Sequence, residues 1–141
     1  MAGVRGAGQE VMIAIDTNII VRLIVNDDAK QVGEARRLMQ RNAILVTSTV
    51  VLETEWVLRS VYNLQPQQIL AGLTRLFGLE NVQAENPAAM AKAMSGYAQG
   101  MDFADAMHLS QASHAAGFAS FDKTLKRSAK RVGGFIPVMV P

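Results

Sequence analysis

The stretch Val11-Met12-Ile13-Ala14-Ile15-Asp16-Thr17-Asn18 decides how the rest of the chain is read. Five apolar residues, three of them β-branched, predict a strand buried on both faces, as in a parallel sheet covered by helices. Asp16 closes the run. A carboxylate at the C-terminal end of such a strand stands where parallel α/β sheets place their chemistry. The other reading is a helix cap for Thr17-Asn18-Ile19-Ile20, because Asp after a strand often opens the next helix.

Working outward, short strand-like runs alternate with longer helical ones, the pattern of βαβ units and an α/β fold. Strands are predicted at Val11 to Asp16, Ala43 to Thr47, Val82 to Ala84, Phe118 to Phe121 and Ile136 to Val140. Helices are predicted at Ile19 to Val25, Ala29 to Gln40, Val50 to Tyr62, Pro66 to Phe77, Ala88 to Ala98, Phe103 to Ala115 and Lys123 to Arg131. Pro66 and Pro87 suit first helical turns, Thr49 suits a cap, and Gly117 suits a helix end before the fourth strand. No internal repeat or low-complexity tract interrupts the series.

The 141 residues, half of them apolar, fit one domain with a real core. The absence of Cys rules out disulfides and thiolate metal sites and fits a reducing cytoplasm. Apolar stretches such as Ile19 to Val25, broken by Arg22, fall short of the about 20 residues of a membrane helix, so a soluble protein is expected. Residues 1–11 carry three Gly and no apolar signal region, and read as a flexible leader, with Met12 as an alternative start. Net charge is only +2, but Lys123, Lys126, Arg127, Lys130 and Arg131 crowd together, and Arg36, Arg37 and Arg41 form a second group. Either set is a solvated helix face or a surface for an anionic partner.

Other acids invite the same question as Asp16. On the helix from Val50, Glu55 has Arg59 four residues on, a solvent-facing stabilising pair. Glu53 instead has Val50, Trp56 and Val57 as neighbours, so it is expected on or beside the apolar face, where an unpaired carboxylate is costly. Asp102 and Asp105 share a face at a helix start: Asp102 suits the cap or a supporting role, Asp105 a metal ligand. His108, one turn on, reads as an ordinary helix residue near the site. Asp122 ends Phe118-Ala119-Ser120-Phe121 and repeats the strand-then-carboxylate pattern of Asp16. Such acids repel one another unless a hard, oxygen-preferring cation such as Mg²⁺ or Mn²⁺ holds them ionised.

Taken together, Ile15-Asp16-Thr17-Asn18, Glu53 with Trp56-Val57-Leu58, Asp102-Phe103-Ala104-Asp105-Ala106-Met107-His108-Leu109 and Ser120-Phe121-Asp122 resemble the successive motifs of PIN-domain ribonucleases. The likeness is greatest to VapC-type toxins of type II toxin–antitoxin pairs and runs from Met12 to Pro141. It implies a PIN-like fold over residues 12–141, with a five-stranded parallel sheet and helices on both faces. It also implies a Mg²⁺- or Mn²⁺-dependent endoribonuclease, in which Asp16, Glu53, Asp105 and Asp122 match the metal-binding catalytic acids. Thr17, Asn18 and Ser120 match supporting polar positions. Its implied partners are an RNA substrate, a cognate antitoxin and a second copy in a homodimer. Lys123, Lys126, Arg127 and Lys130, directly after Asp122, suit contacts to RNA phosphates. Two alternatives are a non-catalytic RNA- or protein-binding module of the same fold and an aspartyl-phosphate phosphotransferase. The latter would want a second Asp where the chain has Asn18.

Overall fold

The computed structural model describes residues 11–141, so all of the expected leader except Val11 lies outside the described residues. In chain order the elements are β1 (Met12–Ala14), α1 (Thr17–Val25), α2 (Ala29–Arg41), β2 (Ala43–Val46), α3 (Ser48–Ser60), α4 (Pro66–Phe77), β3 (Val82–Ala84), α5 (Pro87–Ala98), α6 (Phe103–Gln111), β4 (Phe118–Ala119), α7 (Lys123–Val132) and β5 (Val138–Met139). The alternation is that of an α/β protein, and every strand pairing among the described residues is parallel. The strands nevertheless pair as three plus two rather than as the single five-stranded sheet expected from sequence. The chain forms two compact units, Met1–Glu85 and Asn86–Pro141.

In the first unit the sheet order is β1-β2-β3, with Ile13 opposite Ile44 and Ile44 opposite Val82. Each step along the sheet passes through a pair of helices, the long crossover that parallel neighbours require. The central strand β2 buries Ile44 and Val46 completely. Around it lie Ile20 and Val21 of α1, Val32, Ala35 and Met39 of α2, Val51 and Leu58 of α3, and Ile69 and Leu73 of α4. The expectation that the first strand is buried on both faces fails, because among the described residues β1 pairs with β2 alone and leaves Ile13 and Ala14 exposed. Local chemistry sets the helix starts. Asp28 Oδ1 accepts from Gln31 N at 3.1 Å to open α2, and Gln65 forms a reciprocal cap with Gln68 ahead of Pro66 in α4. Gly72 of α4 lies so close to α1 that a Cβ would stand 2.9 Å from Ile24 Cδ1.

Helix α3 departs from its sequence reading in two ways. It begins at Ser48, so Thr49 is not its cap; Thr47 holds that position without a side-chain bond to the helix amides, and Glu85 Oε1 instead accepts from Ser48 N at 2.9 Å. Its buried stripe is Val51, Thr54, Glu55 and Leu58, the i, i+3, i+4, i+7 spacing of a core-facing helix. Glu55 is therefore the buried acid, 3% exposed, while Glu53 is exposed, the reverse of the expected arrangement. The apolar neighbours that suggested otherwise lie off the stripe, Trp56 being 55% exposed. Thr54 enters the core because its hydroxyl donates to Val50 O at 2.7 Å, and Glu55 because Arg59 Nε meets its Oε2 at 2.8 Å.

In the second unit α5 packs along α6, with the Tyr97 and Phe103 rings edge to face at 5.1 Å. Helix α6 ends at Gln111, short of the predicted Ala115, and a series of turns carries the chain to β4. Gly117 therefore does not terminate a helix. Its missing side chain instead admits β5: a Cβ there would lie 2.9 Å from Met139 Cε and 3.3 Å from Pro137 O. Phe118 pairs with Val138 and Ala119 with Met139. Helix α7 buries only Leu125 and Ala129, and its basic residues Lys123, Lys126, Arg127, Lys130 and Arg131 are exposed.

The contrast between the two glutamates of α3 is measurable. Arg59→Leu removes the ion-pair partner of the buried Glu55 carboxylate and is expected to destabilise the fold by about 1–3 kcal/mol, below the full buried-pair cost because Arg59 is partly solvated. Glu53→Gln, on the exposed side, should stay within about 0.5 kcal/mol of wild type. Chemical denaturation of the two variants checks both.

Candidate active site

In the first unit the site residues gather at the C-terminal edge of the sheet. Ile15 N still donates to Leu45 O at 3.2 Å, and Asp16 follows as the chain leaves the sheet. Asp16 adopts extended backbone as the N-cap of α1, and its Oδ1 accepts from Thr17 N at 2.8 Å. The capping role and a strand-end position therefore coincide in one residue, and the side chain stays exposed at the positive end of the α1 dipole. Thr17 is only 7% exposed. Its hydroxyl donates to Glu53 Oε1 at 2.5 Å, tying the first turn of α1 to α3 and fixing that carboxylate from one side. Asn18 is exposed on the same first turn.

Sequence reasoning missed Glu85. It follows β3 directly, its N–H donating to Val46 O at 3.0 Å while its carboxylate caps α3. The strand-then-carboxylate pattern that singles out Asp16 and Asp122 is present at Val82-Gln83-Ala84-Glu85 and is the signal that finds it.

The second unit brings three further carboxylates into one electrostatic neighbourhood. Asp102 is the N-cap of α6, accepting from Asp105 N at 3.0 Å, which is the cap expected from sequence. Asp105, half-buried in the first turn, has its carboxyl pushed above the ordinary value, first by burial, then by Asp102, then by Asp122; His108 acts in the opposite sense. Asp122 caps α7 through Oδ1, which accepts from Thr124 N at 2.9 Å and Leu125 N at 3.1 Å. Ser120 Oγ accepts from Asp122 N at 3.0 Å, so the serine sets the turn that presents Asp122. The exposed His108 lies with its ring nearly parallel to that of Phe118, 6.4 Å between centroids.

This donor set suits a hard divalent cation. All the candidate ligands are carboxylate oxygens, the donors such a cation prefers, and Asp105 has its carboxyl raised first by burial and then by the like charges of Asp102 and Asp122. Among the described residues, no three His, Asp or Glu side chains within either unit form a ready-made cage.

On α7, Arg131 Nη1 donates to Gln99 O at 3.0 Å, tying the helix to the end of α5, while Arg127 Nη2 donates to Thr124 Oγ1 at 3.1 Å within the same helix. Lys123, Lys126 and Lys130 extend along the exposed side.

Asp105 yields a signed pH dependence. A carboxyl whose folded pKa is raised weakens the fold at any pH where it is ionised, and the penalty vanishes below the unfolded value of about 4, where both states are protonated. In metal-free protein Asp105→Asn should therefore raise the melting temperature at pH 7, with the gain shrinking as pH falls toward 4. A melting series from pH 3 to pH 8 on both proteins checks it.

No curated protein matches the chain. The PIN domain matches it over residues 13–131, a span that takes in every candidate carboxylate from Asp16 to Asp122. PIN domains are generally metal-dependent nucleases, consistent with an all-carboxylate donor set. With most of its length matched, from β1 into the last turn of α7, the chain belongs to the PIN-domain family.

Proposed function

We propose that the protein is a Mg²⁺- or Mn²⁺-dependent endoribonuclease and the toxin of a VapC-type toxin–antitoxin pair. The observation that carries the reading is Asp105, half-buried in the first turn of α6, its amide bonded to Asp102 and its carboxyl raised by burial and by the charges of Asp102 and Asp122. Membership of a family of nucleases supplies the reaction class, and the succession of motifs through Asp16, Glu53, Asp105 and Asp122 supplies the toxin likeness.

In this reading Asp16, Glu53, Asp105 and Asp122 hold the cation. When bound, it would supply positive charge to offset the negative charge developing on the scissile phosphate and would lower the pKa of a bound water. Thr17 orients Glu53 by taking one carboxylate oxygen and leaving Oε2 for other work. Asp102 and Ser120 fix the backbone that presents Asp105 and Asp122. Lys123, Lys126, Arg127 and Lys130 meet the phosphates that flank the cut, a sequence-independent grip that salt weakens. A small antitoxin keeps the activity in check, and the working form is a homodimer; both follow from the likeness to VapC-type toxins.

Cleavage of structured cellular RNA in Mg²⁺ tests the reaction. Asp16→Asn and Asp105→Asn, each confirmed folded by circular dichroism, should cut at least about a hundredfold more slowly. Undiminished cleavage in folded variants would remove these acids from the chemistry. For the basic helix, replacing Lys123, Lys126 and Lys130 with Gln should flatten the dependence of log affinity on log salt by about 0.7 per lysine for single-stranded RNA. An unchanged slope would take α7 out of the RNA surface.

A further inference from the structure

Phe121 is the most exposed of the large apolar side chains among the described residues, at 80%. Its sequence position suggests the last residue of a strand, but β4 ends at Ala119 and residues 120–122 form the link to α7. The backbone on both sides of the ring is anchored. Ser120 N donates to Met139 O at 2.9 Å, Asp122 N donates to Ser120 Oγ, and Asp122 Oδ1 takes two amides of α7. The ring is thus presented from a fixed turn, and packing does not account for it, since an uncovered Phe forgoes the free energy of burial.

The neighbours of Phe121 indicate what it meets. Asp122 follows it, and α7 then presents Lys123, Lys126, Arg127 and Lys130 on exposed positions. An aromatic face beside a row of cations is how proteins hold single strands: a base stacks on the ring while neighbouring phosphates meet the cations. A duplex offers no such base, because its bases stack within the helix and the A-form major groove is too narrow for side chains to read.

We propose that Phe121 is a stacking platform for an unpaired base of single-stranded RNA, with Lys123 and Lys126 taking the adjoining phosphates. The inference rests on the RNA-cleaving reading and deepens it by naming the residue on which the RNA stacks. Phe121 positions substrate and takes no part in the chemistry.

Fluorescence anisotropy in EDTA, where no cleavage occurs, tests the platform on the full chain. Wild type, Phe121→Ala and Phe121→Trp are compared on a labelled single-stranded oligoribonucleotide, on its duplex, and on an abasic strand of equal charge. Phe121→Ala should lose about tenfold in affinity for the single strand, Phe121→Trp should keep it, and both should bind the duplex and the abasic strand as wild type does. Equal single-strand affinity in Phe121→Ala, or an equal loss on the abasic strand, would overturn the proposal. So would a lowered melting temperature together with a changed elution volume for Phe121→Ala, which would assign the ring to a protein contact. Because binding is read without metal, a protein that stacks bases on Phe121 yet cuts no RNA would separate failure of the nuclease reading from failure of this one.

Discussion

The first amides of a helix have no partner within the helix, and something outside it must accept from them. In this protein the acceptor is repeatedly a carboxylate: Asp16 opens α1, Asp102 opens α6 and Asp122 opens α7, while Glu85 reaches across to open α3. This constraint organises the rest. A capping carboxylate is held at a helix N-terminus where the dipole favours its negative charge, and it keeps a second oxygen for another use. The structural and functional readings of these acids are therefore not rivals, since the cap supplies the orientation that a ligand needs.

The division between stability and function is most visible on α3. Glu55 and Glu53 are two residues apart, yet one is buried in an ion pair with Arg59 and the other is exposed and held by the Thr17 hydroxyl. The buried acid is committed to the fold by the cost of unpairing it. The exposed acid is fixed on one oxygen only. Asp105 lies between these cases: its helix position favours the charge, while burial and the carboxylates of Asp102 and Asp122 oppose it. Such tension fits a residue retained for binding a cation rather than for packing.

Much of the fold was legible because its signals are local. The alternation of apolar runs placed the twelve elements of the described residues, and Pro66 and Pro87 marked the starts of α4 and α5. What stayed hidden depends on partners remote in sequence. The buried face of α3 includes Thr54 and Glu55, polar residues that only a backbone carbonyl and Arg59 make tolerable inside, so apolar periodicity pointed to the wrong side. Pairing of five strands as three and two is not written in any one strand, nor is the exposure of β1, which has a single strand neighbour. Gly117 looked like a helix terminator because the close approach of Met139 is set more than twenty residues away. At the site, the caps at Asp16, Asp102 and Asp122 could be read directly and the strand-then-carboxylate pattern also marks Glu85, whereas the outward ring of Phe121 required the backbone path.

The central claim, that the carboxylates are retained to hold a divalent cation, is tested most directly by titrating Mn²⁺ into the metal-free protein and following the heat of binding. The account predicts a site that Asp16→Asn, Glu53→Gln, Asp105→Asn and Asp122→Asn each weaken by about tenfold or more, while Glu34→Gln, on the exposed side of α2, leaves it intact. Absence of binding, or an affinity indifferent to all four substitutions, would contradict it.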